Sequence, residues 1–273
     1  MKSVLITGCS SGIGEAAARH FAAQGWNVAA TMRNPSAAAH LKDIANIKLI
    51  ALDVTDKASI DKAVAETLAA FGAVDALVNN AGYGLFGPFE LASDDEIVRQ
   101  FQTNLFGLFD VTRAVLPTMR AQRSGVIVNI SSIGGLTTFP LNSLYHATKF
   151  AVVGFSESLN FELAPFGVKV KVVAPGGVAT DFAGRSLATT FDDDRGPYAA
   201  SIDKVIAAFG ARRDNRNRST SEYLAEAIYG AATDGTRKTC YVVGQDAVAL
   251  LAAREKMTDE QYVAFMEAQM GLA

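Results

Sequence analysis

Val4-Leu5-Ile6-Thr7-Gly8-Cys9-Ser10-Ser11-Gly12-Ile13-Gly14 runs directly into Glu15-Ala16-Ala17-Ala18-Arg19-His20-Phe21-Ala22-Ala23-Gln24. The first three residues form a short apolar, β-prone run. The alanine-rich stretch reads as a helix stopped by Gly25. Strand, glycine turn and helix together place a diphosphate at a helix N-terminus, where free N–H groups and the helix dipole favour negative charge. Gly8 permits the tight turn, Gly12 lets backbone approach phosphate, and Gly14 lets helix and strand pack closely. Ser10, Ser11 and Ile13 belong to the same turn and count with it as cofactor contacts. A flexible linker would place its glycines among polar residues and not at a strand–helix junction. Cys9 reads as a small packing residue in preference to a reactive thiol.

Outward from this unit, strands and helices alternate, which implies a parallel sheet covered by helices on both faces. The expected strands are Val4–Ile6, Asn27–Thr31, Ile47–Ala51, Ala76–Asn79, Val126–Ile130, Val168–Val173 and Cys240–Val243. Helices fall near Glu15–Gln24, Ser59–Phe71, Asp94–Arg120, Ser143–Ala164 and Ser221–Thr233. The fold class is therefore α/β, a doubly wound Rossmann-type sheet of about seven strands in one domain spanning residues 1–273. Most strands read as continuous apolar runs, as strands covered on both faces do. Val168-Lys169-Val170-Lys171-Val172 alternates, so one face or end of that strand is expected near solvent. Residues 181–218, rich in Gly, Asp, Arg and Thr, read as a substrate lid, and about 246–273 as a C-terminal tail.

Of 273 residues, 49% are hydrophobic and 19% charged, enough for a sizeable core, and the net charge is −3. Nothing here calls for nucleic acid or an anionic membrane. The basic run Arg212-Arg213-Asp214-Asn215-Arg216-Asn217-Arg218 lacks interleaved aromatics and reads as a solvated loop or subunit contact. Two cysteines suit a reducing compartment, no apolar run reaches the length of about 20 residues that a membrane span needs, and with only Met1, Lys2 and Ser3 before the first strand no leader is expected. The expected location is the cytoplasm, with no metal site.

Tyr145-His146-Ala147-Thr148-Lys149 lies inside the helix expected from Ser143. Residues i and i+4 share a helix face. An ammonium beside a phenol stabilises the phenolate and lowers the tyrosine pKa from about 10, suiting it to proton transfer. Together with the TGxxxGIG spacing, this pair resembles the short-chain dehydrogenase/reductase family, and the resemblance covers about Val4 to Val243. Asn79-Asn80-Ala81-Gly82 matches the family's NNAG, Asn104 its helix asparagine, and Pro175-Gly176-Gly177-Val178-Ala179-Thr180 its PGxVxT. The family's active serine lies 13 residues before the tyrosine, which selects Ser132 over Ser131. The glycine turn and Ala30-Thr31-Met32-Arg33-Asn34 look like the 17β-hydroxysteroid and retinol dehydrogenase branch.

The resemblance implies hydride transfer between a nicotinamide and a carbonyl or alcohol carbon. Tyr145 is then the acid/base, Lys149 tunes it and bonds the nicotinamide ribose, Ser132 donates to the substrate oxygen, and Asn104 holds a relay water. The remaining contacts implied for the cofactor are Val54, Asn80, Ala81, Gly82, Pro175, Gly176 and Val178. Asp53 would contact adenine or cap the following helix, and Thr180 would bond the carboxamide or act as a cap. Met32 stands where NAD enzymes carry an acid, and Arg33 can pair with a 2′-phosphate, so NADP(H) is preferred and NAD(H) possible. Phe86, Phe89, Phe139, Phe182, Phe191 and Tyr198 are expected around the pocket mouth and favour an apolar or aromatic small-molecule carbonyl or alcohol as substrate. The alternatives are an NAD-linked alcohol dehydrogenase or a nucleotide-sensing regulator. Relatives of this kind are commonly homodimers or homotetramers.

Overall fold

A computed structural model describes residues 1–178, 186–193, 195–213 and 218–273, the side chains of residues 212 and 213 excepted. The first half runs β1 (Ser3–Thr7), α1 (Gly12–Ala23), β2 (Asn27–Met32), β3 (Ile47–Ala51), α2 (Lys57–Phe71) and β4 (Ala76–Asn79). It continues through β5 (Gly84–Phe86), α3 (Asp94–Phe101), α4 (Gly107–Gln122), β6 (Gly125–Ile130) and α5 (Ser143–Leu163). The remainder is β7 (Val168–Pro175), β8 (Leu187–Thr189), α6 (Ala199–Arg213), α7 (Ser221–Thr233), β9 (Cys240–Val243), α8 (Gln245–Arg254) and α9 (Asp259–Met270).

Seven strands form one parallel sheet in the order β3-β2-β1-β4-β6-β7-β9. The chain winds from β1 out to β3, then returns to β4 on the other side of β1. Successive crossovers therefore leave β1 and β4 in opposite directions, and a crevice opens above their carboxyl ends, where ligands of such sheets bind. The two-residue period of β1 divides the core. Val4 and Ile6 pack with Phe21 of α1 and Leu224 and Ile228 of α7, whereas Leu5 packs with Ile60 of α2, Val111 of α4 and Leu159 of α5.

Helix starts follow local chemistry. Asp56 caps α2 by accepting from the Ala58 N–H at 2.9 Å, and Ser93 with Glu96 forms a capping box at α3. This corrects the capping role considered for Asp53, whose carboxylate instead accepts the Thr55 N–H and hydroxyl at 2.9 and 2.8 Å. The helix expected over Asp94–Arg120 is continuous, but Gln102–Phe106 is a turn of π-helix that inserts one residue between α3 and α4.

The expectation that one face or end of β7 lies near solvent holds only at its start, where Lys169 is half-buried; Lys171 is buried. Its side chain is 2% exposed, paired with Asp234 and bonded to the Tyr241 hydroxyl at 2.9 Å. The Lys169 ammonium donates to the Gly235 carbonyl, so both lysines tie β7 to the turn after α7. Burial alone would raise the Asp234 carboxyl, but bonds from Lys171, Tyr241 and Thr236 outweigh it and hold the group well below the usual carboxylate range. The stretch read as a tail over about 246–273 contains α8 and α9, and α9 packs near α6 in a cluster containing Phe86, Val205, Tyr262, Met266 and Met270. Part of the expected lid is β8, paired with β5, and part is α6.

Candidate active site

The glycine turn is built as a steric unit. Gly8 and Gly12 have φ of +75° and +60°, in the left-handed region that favours glycine. A Cβ on Gly14 would stand 2.3 Å from the Gly8 oxygen and 2.5 Å from Asn80 Nδ2. Asn80 donates through its side chain to the carbonyls of Thr7 and Gly8 at 2.9 and 3.1 Å. The Thr7 hydroxyl accepts from the N–H groups of Asn80 and Ala81, both at 3.0 Å. Asn80 therefore holds the turn closed, while Ala81 and Gly82 line the cleft. Ser11 precedes α1 in extended conformation without a side-chain cap bond, so the first-turn N–H groups have no side-chain partner from that residue. Burial pushes the Cys9 thiol up to about 12, and its Sγ donates to the Ile6 carbonyl, which makes it a packing residue.

Met32 closes β2 with 3% of its surface exposed, and Arg33 follows at the exposed rim of the same cleft. Among the described residues Arg33 forms no ion pair. Ser10, Ser11, Gly12, Asp53 and Val54 border this end.

At the other end α5 brings Lys149 beneath Tyr145. The Lys149 Nζ lies 5.7 Å from the centre of the tyrosine ring and donates to the Ile130 carbonyl at 2.9 Å. The two serines after β6 point apart. Ser131 donates to the Lys149 carbonyl at 3.0 Å, whereas the Ser132 hydroxyl is bonded to the Tyr145 phenol and accepts the Gly134 N–H at 3.0 Å. Asn104 lies in the π turn, 2% exposed, with Nδ2 donating to the Tyr83 carbonyl at 2.8 Å and Oδ1 accepting the Tyr83 N–H at 2.9 Å. A Cβ on Gly82 would meet Asn104 Oδ1 at 3.0 Å and Lys149 Nζ at 3.9 Å, so these groups share one corner.

The expected lowering of the Tyr145 pKa is reversed. Burial raises the phenol, with the Ser132 hydrogen bond opposing it, and the same desolvation brings Lys149 down to about 8. Spacing along the helix sets the neighbours, but water exclusion at the carboxyl end of β6 dominates both groups.

Two further residues shape the site. His146 donates from Nδ1 to the Gly134 carbonyl at 2.6 Å and accepts the Phe139 N–H at Nε2 at 2.9 Å, which requires the neutral ring; burial lowers its pKa. Asp246, on the first turn of α8, accepts the Gly177 N–H at 2.6 Å. A Cβ on Gly176 or Gly244 would stand 2.4 or 2.7 Å from its Oδ1. The sequence signal for Asp246 was the set of glycines around it; His146 was visible only as the neighbour of Tyr145.

These elements border one cleft of about 1780 Å³, larger than the ~300–1,000 Å³ of a single small-ligand pocket. Gly8, Arg33 and Asp53 lie along it together with Ser132, Tyr145, Lys149, Pro175, Gly176 and Val178. Phe86, Phe139 and Phe191 line its apolar part, joined by Ile206 and Phe209 of α6, which the sequence reading missed. Phe89 is 61% exposed and does not line it, and Tyr198 bonds Glu90 at the surface. Thr180 and Phe182 lie outside the described residues.

The short chain dehydrogenase family model matches residues 2–190. The chain belongs to that family. It is an oxidoreductase acting on CH–OH or C=O groups with a nicotinamide cofactor, NAD(P)(H). Among its relatives, a 3-ketodihydrosphingosine reductase of Bacteroides thetaiotaomicron is 38% identical over 225 residues, covering 82% of this chain and 81% of that one. Retinol dehydrogenase 8 of Bos taurus is 42% identical over 197 residues, covering 68% and 62%. A short-chain dehydrogenase from Streptomyces avermitilis superimposes with a TM-score of 0.85 at 34% identity, covering 100% of this chain and 98% of the other. In this short-chain dehydrogenase no helix among the described residues is long and apolar enough to cross a membrane.

Proposed function

We propose that the enzyme is an NADP(H)-dependent reductase of ketones or aldehydes carrying an apolar or aromatic group. The observation that carries this reading is the aromatic part of the cleft, formed by Phe86, Phe139, Phe191 and Phe209, which is continuous with the Ser132–Tyr145 pair. The lipid-ketone and retinoid chemistry in the names of two relatives agrees with it.

The glycine turn and the α1 N-terminus fit a cofactor diphosphate, and Arg33 beside buried Met32 fits a 2′-phosphate with no acid opposing it. Asp53, Val54, Asn80, Ala81 and Gly82 would border the adenosine and ribose side, and Pro175, Gly176, Val178 and Thr180 the nicotinamide side. When bound, the reduced nicotinamide supplies the hydride. Ser132 holds the substrate oxygen by donating to it. Tyr145, kept protonated by its surroundings, delivers its phenolic proton to that oxygen as charge develops there. Lys149 lies under the ring as the cation that stabilises the resulting phenolate, and Asn104 fixes the backbone of Tyr83 beside it. A neutral phenol at rest suits reduction.

The exposed aromatics Phe106 of the π turn and Phe150 and Phe161 of α5 support a homodimer or homotetramer; sedimentation as a monomer would overturn that part. Two unpaired cysteines support a cytoplasmic setting.

Tyr145→Phe keeps the ring and removes the transferable proton. NADPH should still bind, while turnover of any carbonyl the parent reduces falls by about 10²–10⁴. Turnover within a few-fold of the parent would sink the mechanism. Arg33→Ala should weaken NADPH by about ten- to a hundredfold and leave NADH nearly unchanged, read by calorimetric titration. Equal losses for both cofactors would refute the 2′-phosphate assignment.

A further inference from the structure

The segment joining Ser132 to Tyr145 is held from two sides. From α5, His146 grips it at the Gly134 carbonyl and the Phe139 N–H. From α9, Tyr262 reaches the same segment across more than a hundred residues of sequence. Its hydroxyl donates to the Thr138 carbonyl at 2.8 Å and contacts the Thr137 hydroxyl. A phenol has one proton, so with that proton on the carbonyl the Thr137 hydroxyl is the donor to Tyr262. Both Tyr262 and Thr137 are buried, at 6% and 3% exposure. The Arg254 guanidinium lies 4.7 Å from the centre of the Tyr262 ring and also bonds the Met257 carbonyl and Asp259, which fixes the ring from behind.

The gripped segment carries Phe139. Its ring faces His146 at 5.3 Å and meets Phe209 of α6 edge-on at 6.4 Å, and it lines the apolar part of the cleft. At the far end of the segment Leu141 is in the left-handed region at φ +61°, with its carbonyl bonded to the Gly87 N–H at 2.8 Å. A non-glycine residue in that conformation persists where the surroundings impose it.

We propose that Tyr262 is a positioning residue of the substrate chamber: through Thr137 and Thr138 the C-terminal helix sets Phe139 against the apolar group of the carbonyl substrate. The two grips divide the labour. His146 acts near Ser132, where the reaction takes place. Tyr262 acts on the portion that shapes the chamber. Loss of the Tyr262 hydroxyl should therefore change how the substrate is held and leave the chemical step alone.

The proposal rests on the reading of this cleft as the substrate site, and its test has one arm that does not. In Tyr262→Phe, hydrogen exchange at the amides of residues 136, 137 and 139 should quicken by about tenfold, with α5 unchanged. Unchanged exchange there would overturn the clamp, whatever the enzyme reduces. In the kinetic arm, with acetophenone or a long-chain 2-alkanone as carbonyl, KM should rise about fivefold while kcat stays within about twofold and NADPH affinity is kept. A fall in kcat with KM unchanged would overturn it. Thr137→Val, close in volume, should reproduce both effects, and the double variant should be no worse than the worse single one; additive losses would overturn the shared contact. Thr137→Val also carries the test if Tyr262→Phe fails to fold. A wild type that reduces neither carbonyl sinks the substrate class proposed above, and the exchange arm still decides the clamp.

Discussion

Lys149 is 7% exposed, and among the described residues its ammonium donates to the Ile130 carbonyl. Its ordinary value of 10.5 falls to about 8, so between those values the unfolded chain binds more protons than the folded one. Stability contributed by this group therefore rises with pH across that window, and the cost of the buried ammonium is fully present below about pH 8. Lys149→Met should abolish turnover yet raise the unfolding free energy near neutrality by roughly 1–2 kcal/mol after the lost hydrogen bond is counted, read as a higher melting temperature. The gain should shrink as pH rises toward 10.5. A variant less stable than the parent at neutral pH would show that Lys149 stabilises the fold. The residues of this site were readable from their spacing, but the direction of the Tyr145 shift was not. Spacing on a helix states which groups are adjacent; the balance between charge and desolvation depends on how much water the rest of the fold removes.

Gly14 illustrates the same division for an element. The strand–turn–helix unit was legible because its glycines fall at the junction, and the structure shows the role of the third: the Gly8 carbonyl occupies the place of its side chain. Gly14→Ala must push that backbone or Asn80 aside, at about 1–3 kcal/mol, and should weaken cofactor binding in a thermal-shift titration. Gly154 of α5 is the control, since nothing lies within 4 Å of a Cβ built there. Gly154→Ala should stabilise by about 0.5–1 kcal/mol with binding unchanged. Equal behaviour of the two variants would remove the steric role assigned to Gly14. The π turn holding Asn104 was not legible, because an inserted residue leaves apolar periodicity nearly intact over so short a stretch. The buried Lys171 was misread because alternation of lysine with valine signals solvent only where no carboxylate reaches the strand, and Asp234 arrives from a turn sixty residues away.

For the whole molecule, alternation of strands and helices was enough to anticipate a doubly wound parallel sheet covered by helices on both faces. The C-terminal helices escaped that reading, since α9 buries Tyr262, Met266 and Met270 with Val205 of α6 and Phe86 of β5, in a cluster that holds no residue of the seven-stranded sheet. On the proposed reading the consequence is a partial separation between reaction and selection, since Phe86 and Phe139 of the apolar part lie among the matched residues. The glycine turn, Ser132, Tyr145 and Lys149 all fall within the family-matched residues 2–190, while Ile206, Phe209, Leu250 and Tyr262 fall beyond them. Under the proposed function the chain is a chemical engine joined to a partly exchangeable wall. Replacing the wall with that of a relative would redirect the choice of carbonyl and keep the cofactor, provided that two seams travel with it: Asp246 against its glycines and Tyr262 against Thr137. New substrates are then within reach of a lineage that never alters a reacting group.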